Sequence, residues 1–230
     1  VTSRGTDGDA GAALARACAA LKIFPLHGVV LLPGTPSPFH VFEPRYRALF
    51  SDALAGDRIV AVPSLVHPEG ATQERAEVHP VAGVGRIEAE ERLPDGRYHV
   101  ILRGLARVRL LEEVASGKPY REFRAEVLED VLPAGGEGAL AGEADGLRQL
   151  VLELAQRLPA ESGASRLAEA VAQIREPGAL ADVVAAAAVS EPEAKRAVLE
   201  ELDVARRLRR VQGEVASVVL LLSRGRAESV

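Results

Sequence analysis

Val81-Ala82-Gly83-Val84-Gly85-Arg86-Ile87-Glu88-Ala89-Glu90, Leu93-Pro94-Asp95-Gly96 and Tyr98-His99-Val100-Ile101-Leu102-Arg103 read as strand, turn, strand. In the turn, Pro presets φ, Asp can bond its own backbone and Gly accepts positive φ, so the chain reverses there. Along the second run Tyr98, Val100 and Leu102 alternate with His99, Ile101 and Arg103. Both sets are partly apolar, which predicts a strand covered on both faces.

Similar runs lie on either side of this hairpin. Arg107 to Val114 and Phe123 to Val131 follow it. In the latter, Phe123, Ala125 and Val127 alternate with Arg124 and Glu126, one face to the core and one to water. Upstream, Ile23 to Leu26 and Val29 to Leu32 are short apolar runs bounded by Pro or Gly, and Arg58 to Val66 is interrupted by Pro63. Short, closely spaced strands with hairpin turns predict an antiparallel sheet curled towards a barrel.

One helix interrupts the strands. Glu43-Pro44 opens it, since Pro is tolerated at the first helical position. Tyr46, Leu49, Phe50 and Leu54 recur at helical spacing, and Gly56 occupies the place of a left-handed C-cap. Pro133-Ala134-Gly135-Gly136-Glu137-Gly138 then reads as a linker. Beyond it Leu147, Leu150, Val151, Leu154 and Leu158 form a helical stripe. Helices follow over Ser165 to Arg175 and Leu180 to Ala188. Ser190-Glu191-Pro192-Glu193 resembles a capping box. Asp203 is placed to cap a final helix with a seam of Leu208, Val211, Val215, Val218 and Leu222. The expected organisation is a flexible leader at 1–20, with a short helix over Ala12 to Ala20, then a β-rich subdomain at 21–132 and a helical subdomain at 138–224. The fold class is α+β.

Composition narrows the function classes. The net charge of −5 and an aromatic content of 3% argue against nucleic acid, which selects for basic surfaces and stacking rings. Cys18 is the single cysteine, which excludes an internal disulfide. The start of the chain lacks a basic n-region and apolar h-region, and Val218 to Leu222 is too short an apolar run to span a bilayer. The expected location is therefore cytoplasmic, with no membrane partner.

Catalytic patterns are missing. Gly117-Lys118 is followed by Pro119, so no phosphate-cradling loop forms there. No paired Cys-x-x-Cys, His-Glu-x-x-His or Gly-x-Ser-x-Gly occurs. The spacing of His27, His40, His67, His79 and His99 predicts no metal cluster. Arg206, Arg207, Arg209 and Arg210 form a basic run; the pairs Asp203–Arg207 and Arg210–Glu214 at i,i+4 favour a solvated helix face over an anion or RNA patch. No catalytic residue, metal site or cofactor is expected.

A family resemblance rests on an ordered series: Leu21-Lys22-Ile23-Phe24-Pro25-Leu26, Val29-Val30-Leu31-Leu32-Pro33-Gly34, Phe42-Glu43-Pro44-Arg45-Tyr46, Val84-Gly85-Arg86-Ile87, Leu93-Pro94-Asp95-Gly96-Arg97-Tyr98 and Leu102-Arg103-Gly104-Leu105-Ala106-Arg107. Later pieces are Pro177-Gly178-Ala179-Leu180-Ala181-Asp182 and Leu199-Glu200-Glu201-Leu202-Asp203. The series resembles the N-terminal, substrate-recognition domain of Lon proteases, which implies a PUA-like antiparallel β pseudo-barrel followed by an α-helical bundle. That family continues into a Walker-type ATPase and a Ser-Lys peptidase, and this sequence carries neither motif. The resemblance therefore implies a non-catalytic, stand-alone module that binds unfolded or partly folded polypeptides through exposed apolar segments, in company with a full-length Lon-type protease or as a homo-oligomer. Alternatives are an RNA-binding PUA-like protein and a structural or regulatory subunit held by its last helix. The apolar groove residues expected are Ile23, Phe24, Leu26, Phe39 and Phe42, with a sheet edge as the other place where an extended segment could join. Gly85 and Gly104 are read as tight backbone positions.

Overall fold

The computed structural model describes residues 4–66 and 76–227, and side chains over 11–66, 76–159 and 161–223. The fold is α+β: six strands of one antiparallel sheet and seven α-helices among the described residues. The chain divides into two compact units, residues 1–128 and 129–230.

The first unit opens with α1 (Arg4–Ala17), a helix through most of the segment read as a leader. Its last turn buries Leu14 and Ala17, and Cys18 beyond it, against Leu21, Ile23, Ile59, Val84 and Val108. Then come β1 (Leu21–Lys22), β2 (Pro36–Val41), α2 (Pro44–Ala55), β3 (Ile59–Val62), β4 (Val81–Arg92), β5 (Tyr98–Val114) and β6 (Glu122–Leu128). Strand order is β1-β6-β5-β4-β3, with β2 on the first half of β5. The segment after β1 turns from β6 to β3: Phe24 N donates to Ala61 O at 2.8 Å and Leu26 N to Pro63 O at 3.1 Å. This closes the pseudo-barrel, which removes two edges.

The hairpin read from the sequence is present. Leu93 N donates to Arg97 O, Gly96 N to Leu93 O, both at 2.9 Å, and Gly96 has φ +82°. β5 is one strand where two were expected, because Arg107 to Val114 continues its ladder to β4 and β6. Val29 to Leu32 forms no strand. Its backbone instead lies against the sheet so closely that a Cβ on Gly83 would come within 1.8 Å of Leu31 O, and one on Gly104 within 2.1 Å of Leu32 O. The tight positions expected at Gly85 and Gly104 are there for this crossing, and Gly83 joins them. Leu31 and Leu32 are both fully buried by it.

Helix α2 buries Tyr46, Leu49, Phe50 and Ala53. Its end differs from expectation: Gly56 has φ −121°, and the left-handed residue is Arg58 at φ +63°. Ala53 O accepts from both Gly56 N and Arg58 N, so the reversal is completed two residues later than the glycine.

The second unit contains α3 (Ala141–Arg157), α4 (Ala164–Gln173), α5 (Pro177–Ala188), α6 (Pro192–Glu200) and α7 (Val204–Ala227). The expected stripe of α3 buries Leu147, Val151 and Leu154, and α7 buries Leu208, Val211, Val215 and Val219 where α3 packs on it. Asp203 caps α7, its Oδ1 accepting from Arg206 N at 3.0 Å. The capping box expected at Ser190 is not formed; Glu191 holds the N-cap position without a side-chain bond. The Arg run is not a uniform solvated face either, since Arg207 points inward and has no accessible side-chain surface. Asp203 pairs with Arg206 rather than Arg207. No helix among the described residues is long and apolar enough to cross a membrane.

Candidate functional site

Three strands extend beyond the closed part of the sheet: β2, the first half of β5 and the second half of β4. Their register sets an exposed face in cross-strand rows. Pro38 pairs with Ile101, and Ile101 with Ala89. His40 pairs with His99, and His99 with Glu91. Side chains of one strand face alternate by residue, so each row lies on one side of the sheet. The opposite set, Val41, Tyr98, Val100 and Leu102, is buried in the core.

The result is an apolar row beside a polar one. Ile101 is 38% exposed, and Phe42, just past the end of β2, is 59% exposed. The Phe42 ring lies 5.8 Å from that of His40, which in turn is 5.0 Å from His99. His99 Nδ1 is 3.3 Å from Glu91 Oε2. A groove of about 590 Å3 runs over these strands, lined from this face by Pro38, His40, Ala89, Glu91, His99 and Ile101. The face was expected to be covered on both sides; the structure leaves its His99–Ile101–Arg103 side open.

The five residues expected to form a groove divide by depth. Phe24 is a core hub, edge-on to Phe39 at 5.7 Å, Tyr46 at 4.7 Å and Phe50 at 5.3 Å. Ile23 is fully buried in the neighbouring cluster, and Leu26 is half-buried against Phe24's. Phe39 is half-buried and pairs with Val100 on the core side, behind the groove, and Phe42 stands open just past the end of β2. The structure thus leaves only Phe42 of the five on the open surface, sets Phe39 with Phe24 on the core side, packs Leu26 against the same cluster and places Ile23 in the neighbouring one. Pro38, Ala89 and Ile101 were missed, because single apolar residues on three separate strands become a patch only once the register aligns them.

A second concavity of about 930 Å3 lies between the start of α2 and the loop joining β5 to β6. Its charges are engaged in pairs: Arg45 with Glu43 at 2.7 Å, Arg121 with Glu113 at 2.8 Å, and Lys118 with Asp52 at 3.1 Å. Tyr120 donates to Asp52 at 2.6 Å, and Lys118 donates to the Tyr120 oxygen at 2.9 Å. The hydrogen bonds to Tyr120 and Asp52 hold the Lys118 ammonium above its ordinary range. Burial and the bond to Asp52 push Tyr120 up to about 12, and bonds from Tyr120 and Lys118 hold Asp52 below the usual carboxylate range. This network pins the exposed loop to α2. Among the described residues no group of His, Cys, Asp or Glu is placed to hold a metal ion, and His67 lies outside them.

Known proteins share this sequence and fold. Residues 20–217 match the family model of the ATP-dependent protease La (LON) substrate-binding domain. Lon protease 2 of Myxococcus xanthus is 32% identical over 193 residues, covering 83% of this chain and 23% of that protease. The Lon protease of Anaeromyxobacter dehalogenans is 32% identical over 195 residues, 84% of this chain and 22% of its own length. The chain therefore spans under a quarter of these relatives. Among solved structures, the N-terminal domain of a Mycobacterium avium complex Lon protease superposes with a TM-score of 0.69 at 18% identity, over 86% of this chain and 98% of that domain. The Lon N-terminal domain protein from Xanthomonas campestris gives 0.57 at 21%, over 84% and 97%. The chain belongs to the family of Lon substrate-binding domains.

Proposed function

We propose that this chain is a non-catalytic polypeptide-binding module that holds exposed apolar segments of client proteins on the outer face of β2, β5 and β4. The observation that carries the reading is the aligned row Pro38–Ile101–Ala89 with Phe42 beyond it. An exposed apolar patch rimmed by polar residues is the expected form of a docking surface. Phe39, paired with Val100 on the core side and edge-on to Phe24, backs the row from within. The paired charges of the second concavity make it a weaker candidate, since a ligand there must displace existing ion pairs.

The test is fluorescence anisotropy of a dye-labelled, reduced and carboxymethylated protein against wild type, Ile101→Asp and Phe42→Asp. Each substitution places a charge in the apolar contact and is expected to weaken binding roughly tenfold or more, about 1.4 kcal/mol. Both sites are exposed, so melting temperature and circular dichroism should stay at the wild-type values. Unchanged affinity in both folded variants would refute the assignment.

A further inference from the structure

Resting on that reading, we infer that the surface takes its polypeptide face-on, through side chains alone, and that the segment does not join the sheet as a strand. The segment that fits is apolar at its centre with a Lys or Arg to one side.

Strand addition needs an edge that offers alternating N–H donors and C=O acceptors. The open edge of β2 does not. Gly104 N donates to Thr35 O at 2.9 Å, which sets the phase of the ladder: odd-numbered residues from Thr35 to Val41 bond towards β5. The outward backbone groups then belong to Pro36, Pro38 and His40, all exposed. Proline has no N–H, so this edge carries three acceptors and one donor. The register permits prolines here because their missing donors fall on the unpaired side.

The opposite edge, along the second half of β4, is occupied at its start by different means. Ile87 N donates to Arg58 O at 2.8 Å, and Ile87 O accepts from Arg58 Nε at 3.1 Å. The Arg58 guanidinium is held in turn by Glu90. The ladder is irregular between Ile87 and Ala89, which kinks the strand where it passes the start of β3. The left-handed backbone at Arg58 aims its side chain along this edge. A segment arriving at the groove thus meets a side-chain face between an edge that lacks donors and one already occupied at Ile87.

Charge selects the flanks of the segment. The groove lining includes Glu90 and Glu91 and neither Lys nor Arg. Glu90 is engaged by Arg58, whereas the Glu91 side chain is 70% exposed and faces the imidazole of His99. Its carboxylate stands open beside the apolar row and complements a basic residue next to the anchor.

The experiment uses one labelled peptide of about a dozen residues, apolar at its centre with an adjacent Lys, titrated with the full chain by anisotropy. Two derivatives carry backbone N-methyl groups on alternate residues, one in each phase, so that strand pairing in either register is deleted while side chains are kept. A third replaces Lys by Glu. Face-on docking predicts affinities within threefold for the parent and both N-methylated peptides, a loss of threefold or more for the Glu peptide at low salt, and a tenfold loss for all of them with Ile101→Asp. A tenfold loss confined to one or both N-methylated peptides overturns the docking mode and leaves the binding surface standing. Equal affinity of Lys and Glu peptides overturns the basic flank. No binding of the parent peptide, or binding indifferent to Ile101→Asp, overturns the surface itself.

Discussion

Arg207 donates to both oxygens of Asp130, with Nη1 to Oδ1 at 2.8 Å, from a position where its side chain has no accessible surface. The guanidinium also donates to Glu201 O at 3.0 Å and lies 3.5 Å from the carboxylate of Asp182, itself 3% exposed. Burial opposes its charge, but the Asp130 bond together with Asp182 outweighs this and keeps the group protonated. The arrangement depends on Gly178, where a Cβ would come within 2.6 Å of Asp130 Oδ2 and 2.7 Å of Arg207 Nη2.

Replacing Arg207 should therefore damage the helical unit more than its place in the Arg run suggests. Arg207→Leu leaves Asp182 buried without its cation, and the expected loss is about 3–5 kcal/mol in urea unfolding. Asp130→Asn should cost clearly less, because Asp130 is partly exposed and the amide still accepts from Arg207. An Arg207→Leu protein as stable as wild type would remove the ion cluster from the forces holding this unit together.

Gly83→Ala and Gly104→Ala test the crossing of Leu31 and Leu32. Neither site has slack, since the obstructing atoms are backbone carbonyls rather than flexible side-chain ends. Each is expected to lose on the order of 3 kcal/mol by overpacking and backbone shift, or to fail to fold. Gly117→Ala is the contrasting control: nothing lies within 4 Å of its Cβ, so only its φ of +69° opposes the change. Thermal melts of the soluble variants rank the three.

The Asp52–Tyr120–Lys118 network predicts a pH signature at both ends. Tyr120 is raised from 10.0 to about 12, so its contribution is intact below pH ~10 and is lost as pH rises towards 12. Asp52 is lowered, so its contribution is intact above pH ~4 and is lost as pH falls through its own depressed value. Ultraviolet titration of tyrosinate should show Tyr120 ionising late, and Asp52→Asn should move that transition to lower pH. A tyrosinate curve unaffected by Asp52→Asn would contradict the hydrogen bond.

Cys18 reports on the seating of α1. It is 8% exposed, and burial pushes its thiol above the ordinary value. Labelling by a thiol reagent in native buffer should be at least roughly tenfold slower than in strong denaturant. Equal rates would mean that the helix end leaves the sheet readily.

Much of the architecture was legible in local chemistry. The Pro94-Asp95-Gly96 turn, the Glu43-Pro44 helix start and the Leu147–Leu154 stripe are each decided by residues within a few positions of one another. Strand β2 was not read from the sequence because prolines at 36 and 38 argue against a strand unless its register is known. Likewise, the charge pattern around Arg207 suggested a solvated face, because its partner Asp130 lies far away in the chain. At the candidate site, Phe42 is the one of the five expected groove residues that stands open on the surface. Ile101 was read as covered, since alternation identifies two faces without saying which is open.

The sequence by itself determined the helices, the hairpin at Leu93–Gly96 and the family, since turn geometry, helical periodicity and an ordered motif series are properties of short windows. The tertiary structure alone decided which apolar residues stay in water. Ile23 and Phe24 are as apolar as Ile101 and Phe42, yet burial is set by what the fold brings over each side chain. It also decided that Pro36 and Pro38 guard an edge, because the direction of a missing N–H has meaning only relative to the neighbouring strand.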